Sequence, residues 1–214
     1  QLQTLFCNID SILILHSMFL SQLNERINHE WDHLDSRIGD IFTSLAVQFK
    51  VYIQYVNNYG AASKLIEQMR KDIPKFSSFL INQSSNLADN FAQQSLESLL
   101  ILPIQRLPRY ELLLRDIIKH TWKEHKEYEL LQQALKAVNE MTNVINESKR
   151  QAENMDTALD LQQRITNLSE DLIQPHRKYM HTGTLTEIEL GKSVAPRTLF
   201  LFSDILIISA EKIR

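Results

Sequence analysis

Along "LFCNIDSILILHSMFLSQLNERI", the residues Leu5, Ile9, Ile12, Leu13, His16, Phe19, Leu20 and Leu23 recur at helical spacing. The pattern predicts one helix with a single broad buried face. A polar stretch around residues 28–37 follows. "IGDIFTSLAVQFKVYIQYVNNYGAASKLIEQM" then supplies a second long helical pattern, expected to break near Gly60 because glycine is a poor helix former. Residues 73–90, rich in Ser and Asn, read as short helices and turns. Further on, "EYELLQQALKAVNEMTNVINESKRQAENM" steps Leu131, Leu135, Val138, Met141 and Ile145 along one face. With no Gly or Pro inside it, this is a long continuous helix.

The period changes after about Leu168. Pro175 marks a break, and "MHTGTLTEIEL" and "RTLFLFSDILIIS" are rich in β-branched and aromatic residues, with a Ser203-Asp204 turn between two apolar runs. These are strands. The expected fold class is therefore mainly α: an elongated helical bundle over residues 1–168, followed over 169–214 by a linker and a partial antiparallel β portion.

Between these patterns lies "LLILPIQRLPRYELLLRDIIKHT", residues 99–121, a leucine-rich helix carrying two prolines. Pro103 fits a first helical turn, where its missing N–H is no loss, whereas Pro108 must bend the helix or free a carbonyl. Leu99, Leu102, Leu113, Leu114 and Ile117 are candidates for the core, while Gln105, Arg109 and Asp116 project elsewhere. The planar fork of Arg109 suits a carboxylate or backbone carbonyls on a partner, or an ion pair within the chain; spacing leaves both open.

Composition removes several functions. The chain has 214 residues, 43% hydrophobic and 23% charged, with a formal net charge of -3, so no broad basic field invites nucleic acid. Four glycines scattered at positions 39, 60, 183 and 191 build no phosphate loop. Cys7 has no internal disulfide partner and sits between Phe6 and Ile9, the setting of a packed, inert thiol. "HEWDH" at 29–33 satisfies a His-Glu-x-x-His zinc pattern through His29 and His33, but Asp32 charges a position that zinc-protease helices keep apolar. Ser36 and Gly39 also stand where the extended pattern needs Gly and His, so a solvated loop is expected, with no metal and no cofactor. Neither a signal peptide nor an apolar run long enough to span a bilayer is read, which places the chain in the cytoplasm.

"LLILPIQRLPRYELLLRDIIKHT" resembles the third conserved region of Dbl-homology domains, helical exchange modules for Rho-family small GTPases. "LFCNIDSILILHSMFLSQL" is similar to the family's helix with a Phe-x-Asn-Ile core, "IGDIFTSLAVQFKVYIQYVNNYGAA" to its second region, and "ALKAVNEMTNVINESKRQAEN" to its last long helix. The β portion resembles the first strands of the pleckstrin-homology domain that usually follows.

This resemblance implies a guanine nucleotide exchange factor that makes no covalent bond. Such a protein stabilises the nucleotide-free GTPase so that GDP leaves. Carried over by position, Arg109 and Gln105 would meet the GTPase, Arg109 and Asn146 at its second switch, and Ile101 would help choose among Rho, Rac and their relatives. No residue matches the glutamate of the family's first conserved region, which engages the first switch. Lys192 and Arg197 fall where relatives hold phosphoinositides between the first two strands, which implies recruitment to a membrane surface; a solvated loop is the alternative. The rival to exchange is a non-catalytic helical scaffold, or a degenerate exchange domain that binds its partner without turning it over.

Overall fold

The computed structural model describes residues 1–29, 31–32, 37–85, 94–168, 170–174, 176–188 and 195–210. The chain divides into two compact units, Gln1–Lys149 and Arg150–Arg214. The first holds α1 (Leu2–Phe6), α2 (Ile9–His29), α3 (Gly39–Gln48), α4 (Val51–Asp72), α5 (Pro74–Ser85), α6 (Leu96–Leu100), α7 (Leu102–His120) and the start of α8 (Lys126–Arg164). The second holds the end of α8 and three strands, β1 (Tyr179–Glu187), β2 (Ala195–Phe202) and β3 (Leu206–Ala210). The fold class is thus mainly α, a helical bundle followed by a small antiparallel sheet.

Two helical breaks differ from those the sequence predicts. The first pattern divides at Cys7, which takes φ 49. Asn8 then turns its side-chain amide to the carbonyl of Val51 at 2.9 Å, tying the break to α4. The second pattern runs straight through Gly60, where an added Cβ would meet nothing within 4 Å. It breaks instead at Phe49 and Lys50, between α3 and α4. Phe49 is fully buried there. Burying such a side chain is worth roughly 1.5–3 kcal/mol. A lost helical hydrogen bond costs only about 1 kcal/mol. Packing therefore decides the break, and no glycine or proline announces it.

The core of the first unit is an aromatic cluster. Phe19 meets Phe42 edge to face with centroids 5.1 Å apart, and Tyr110 meets Phe19, Phe42 and Phe49 at 5.7, 6.0 and 5.9 Å. Around it pack Ile12, Leu15, Leu45, Tyr52, Val56, Leu107, Leu114, Leu131, Val138 and Ile145, which draw α2, α3, α4, α7 and α8 onto one centre. The predicted row of α8 is realised, with Leu131, Val138 and Ile145 buried and Leu135 and Met141 at its margin. Cys7 is partly buried against this core, its Sγ 3.8 Å from the carbonyl oxygen of Gln54.

Three expected core leucines lie outside. Leu13 is 64%, Leu20 57% and Leu113 46% exposed. Leu13 and Leu20 instead line an apolar groove with Ile12, Phe19, Leu99 and Leu102. The apolar stripe of α2 is wider than its neighbours cover. By length and composition, Leu2–Asn28 also reaches the threshold for crossing a membrane, contrary to the sequence reading. Its Leu5, Ile12, Leu15 and Phe19 are buried among the helices.

In the second unit the sheet order is β1-β2-β3, with all neighbours antiparallel. Phe202 packs with Ala158, Leu161 and Leu172. The predicted Ser203-Asp204 turn joins β2 to β3. It is clasped by Arg177, which donates from Nε and Nη2 to Asp204, from Nη1 to the carbonyl of Asp171 and from Nη2 to Glu170, at 2.8–3.1 Å. The hydrogen bonds from Arg177 hold the Asp204 carboxyl below its ordinary range.

Candidate functional site

Ser95 caps α6 by accepting from the N–H of Ser98 at 3.1 Å. The chain passes directly into α7 through Ile101, with Pro103 in the first turn as expected. Proline at 103 cannot donate to the carbonyl of residue 99. One residue on, the carbonyl of Leu100 accepts from the buried Tyr55 hydroxyl at 2.7 Å, fixing the junction to α4. Burial, with Tyr59 and Cys7 nearby, pushes the Tyr55 hydroxyl up to about 12, so it remains a donor across the working pH range. Pro108 lies inside α7, which continues through it to His120.

Leu107, Tyr110 and Leu114 point α7 inward. At 100° per residue, Gln105, Pro108, Arg109 and Leu112 fall on the opposite side, and all four are exposed. Ile101 is half-buried at the head of this stripe. The sequence left two fates open for Arg109, a partner or an ion pair within the chain. Among the described residues the side chains of Arg109 and Gln105 have no hydrogen bond or ion pair, whereas Arg115 is held by Glu111 at 2.7 Å and Arg70 by Glu97 at 3.0 Å. The exposed guanidinium of Arg109 thus keeps its donors unpaired among the described residues. Asn146 on α8 is exposed too, one residue from the buried Ile145, and has no partner among the described residues.

The remaining candidates do not assemble a second site. Lys192 lies outside the described residues. Arg197 stands within β2 rather than in a loop, and its Nε donates to Glu187 across the β1–β2 pair at 2.6 Å. A guanidinium already matched by a carboxylate is a poor lipid-phosphate ligand. His29 ends α2, while its side chain and the whole of His33 lie outside the described residues. Among the described residues no three His, Cys, Asp or Glu side chains converge as a metal site.

Sequence reasoning passed over two polar groups of the first unit, the half-buried His16 and the buried Glu127. His16, assigned only to an apolar stripe, lies between Tyr52 and Tyr110. A polar residue at a core position was the available signal. Glu127, 5% exposed in the first turn of α8, binds the start of α3 and carries no periodicity signal of its own.

The first unit is a helical bundle whose α7 presents the side chains of Gln105 and Arg109 on an exposed face, unpaired among the described residues. The RhoGEF domain family model matches residues 1–146, and the chain belongs to that family. It is 36% identical over 213 residues to the guanine exchange factor for Rac 30 of Dictyostelium discoideum, covering 100% of this chain and 12% of that relative's length. Among solved structures it resembles Vav1 bound to an allosteric inhibitor, with TM-score 0.76 and 27% identity over 98% of this chain and 37% of Vav1. Its fold is also that of the linker-DH/PH domains of p115-RhoGEF, with TM-score 0.83 and 22% identity over 99% of this chain and 66% of that one.

Proposed function

We propose that this chain is the exchange module of a guanine nucleotide exchange factor for Rho-family small GTPases, promoting GDP release by stabilising the nucleotide-free GTPase. The observation that carries the reading is the outward face of α7, with Gln105 and Arg109 unpaired among the described residues. Arg109 and Asn146 contact the second switch, and Ile101 contributes to the choice of GTPase. The chemistry is linkage rather than bond making. A partner that binds the empty GTPase better than the loaded one weakens nucleotide binding by the same factor. The exchange unit spans residues 1–168, and 169–214 open a pleckstrin-homology domain; the antiparallel order β1-β2-β3 and the likeness to linker-DH/PH domains support this. The protein acts in the cytoplasm. Recruitment to phosphoinositide membranes gains no support from Arg197, which is paired with Glu187.

The test is capture of Rho and Rac by the full-length protein in nucleotide-free, GDP-loaded and GTP-loaded forms, alongside release of labelled GDP. Preference for the empty form with accelerated release supports exchange. Binding indifferent to nucleotide state identifies a scaffold.

A further inference from the structure

Behind the outward face of α7, His16 of α2 bridges two tyrosines. Its Nε2 lies 2.5 Å from the Tyr52 hydroxyl on α4, and its Nδ1 lies 2.9 Å from the Tyr110 hydroxyl on α7. The imidazole stacks on the Tyr110 ring, with centroids 5.8 Å apart and planes 11° from parallel. Arg106 lies over the same ring at 4.7 Å from its centroid. Tyr110 therefore has its hydroxyl bonded and its ring flanked by His16 and Arg106, and it is the residue next to Arg109. Arg106, itself exposed, in turn follows Gln105. Both outward donors of α7 are thus flanked in sequence by residues that contact one another around the Tyr110 ring.

We propose that His16 is a positioning residue for GTPase binding, setting the rotation of α7 through Tyr110 and so the placement of Arg109 and Gln105. The inference rests on the exchange reading above. A neutral imidazole has one donor and one acceptor, so one tyrosine hydroxyl donates to it and the other accepts. This matched arrangement fixes the orientation of three helices at once. Apolar packing alone tolerates small rotations, whereas a short hydrogen bond to a buried ring does not.

The experiment measures affinity for nucleotide-free GTPase and the GDP release rate with the full-length protein, well below its unfolding midpoint. His16→Phe removes both hydrogen bonds. Tyr110→Phe removes only the hydroxyl, and it carries the test if His16→Phe does not fold. Each is expected to weaken binding roughly three- to tenfold, the scale of one lost hydrogen bond. His16→Asn places a polar group near the Nδ1 position, toward Tyr110, and restores binding. His16→Gln reaches the Nε2 position, toward Tyr52, and does not.

The decisive measurement is the pair with the double variant Gln105→Ala/Arg109→Ala. If His16 acts through these two side chains, Tyr110→Phe and His16→Phe lose their effect on affinity in that background. Additive losses, or unchanged affinity in Tyr110→Phe, overturn the positioning role while leaving exchange intact. Failure of the unsubstituted protein to bind any nucleotide-free Rho or Rac protein overturns the exchange reading and this inference with it.

Discussion

Oε1 of Glu127 accepts the backbone N–H groups of Gly39 and Ile38 at 2.7 and 2.8 Å, joining positions 88 and 89 residues apart. One carboxylate oxygen from the first turn of α8 thereby accepts from two orphan donors at the start of α3, where no local side chain caps the helix. The contact is possible only because position 39 is glycine. A Cβ there would lie 2.7 Å from the carbonyl carbon of Leu130, which is backbone and cannot swing away.

This relationship predicts two strongly destabilised variants. Glu127→Ala leaves buried N–H groups unsatisfied and should cost about 1–3 kcal/mol in urea unfolding. Gly39→Ala forces α3 away from α8 and should cost at least as much, although alanine is the better helix former. A Gly39→Ala protein as stable as the parent would show that α3 and α8 separate easily.

Arg109→Glu tests the outward face with a charge reversal. Because Arg109 is exposed and unpaired among the described residues, stability should change by no more than about 0.5 kcal/mol. Binding to nucleotide-free GTPase and GDP release in the full-length protein should both be lost. A large fall in the unfolding midpoint would instead assign Arg109 to an internal interaction.

His16 gives the fold a pH dependence of definite sign. Burial, then the nearby Arg106 guanidinium, pushes its pKa below the usual 6.5. The groups facing it are Tyr52 from α4 and Tyr110 and Arg106 from α7, while Phe42 and Phe49 add only apolar rings to the surrounding cluster. The unfolded chain therefore takes up a proton that the folded chain refuses. Stability is fully present above pH 6.5 and is lost as pH falls through the depressed folded pKa. Unfolding midpoints from pH 7.5 to 5.5 should fall more steeply for the parent than for His16→Asn, which cannot titrate. Equal slopes would count against this account.

Long periodic segments were readable because their burial follows from spacing alone. Leu131, Val138 and Ile145 pack where the repeat places them, and the three strands follow from alternation and a Ser-Asp turn. The breaks at Cys7 and Phe49 were not readable, because each is decided by a contact remote in sequence: Asn8 with Val51, and Phe49 with Tyr110. Leu13 and Leu20 were misplaced because periodicity gives the width of an apolar stripe but not the number of neighbours that cover it. The candidate face was legible as composition, in unneeded prolines and polar residues on a leucine-rich helix. That Arg109 lacks an internal partner among the described residues could come only from coordinates.

Asn146 offers the complementary test from α8. Leu131, Ala134, Val138 and Ile145 fix the buried side of that helix, and Asn146 lies about 100° further round than Ile145, at the border of the exposed surface. Its amide both donates and accepts, so it can hold a peptide group of a mobile segment from two directions. Replacing it with alanine removes both functions without exposing core, and the change in helix propensity favours alanine by about 0.5 kcal/mol. Asn146→Ala should therefore keep or slightly raise the unfolding midpoint while weakening capture of nucleotide-free GTPase by about tenfold, the scale of one or two hydrogen bonds. Asn146→Asp retains the acceptor but loses the donor, so it separates the two roles: if donation matters, it should bind as weakly as the alanine variant. Full binding by Asn146→Ala would remove α8 from the docking surface and leave α7 as its carrier.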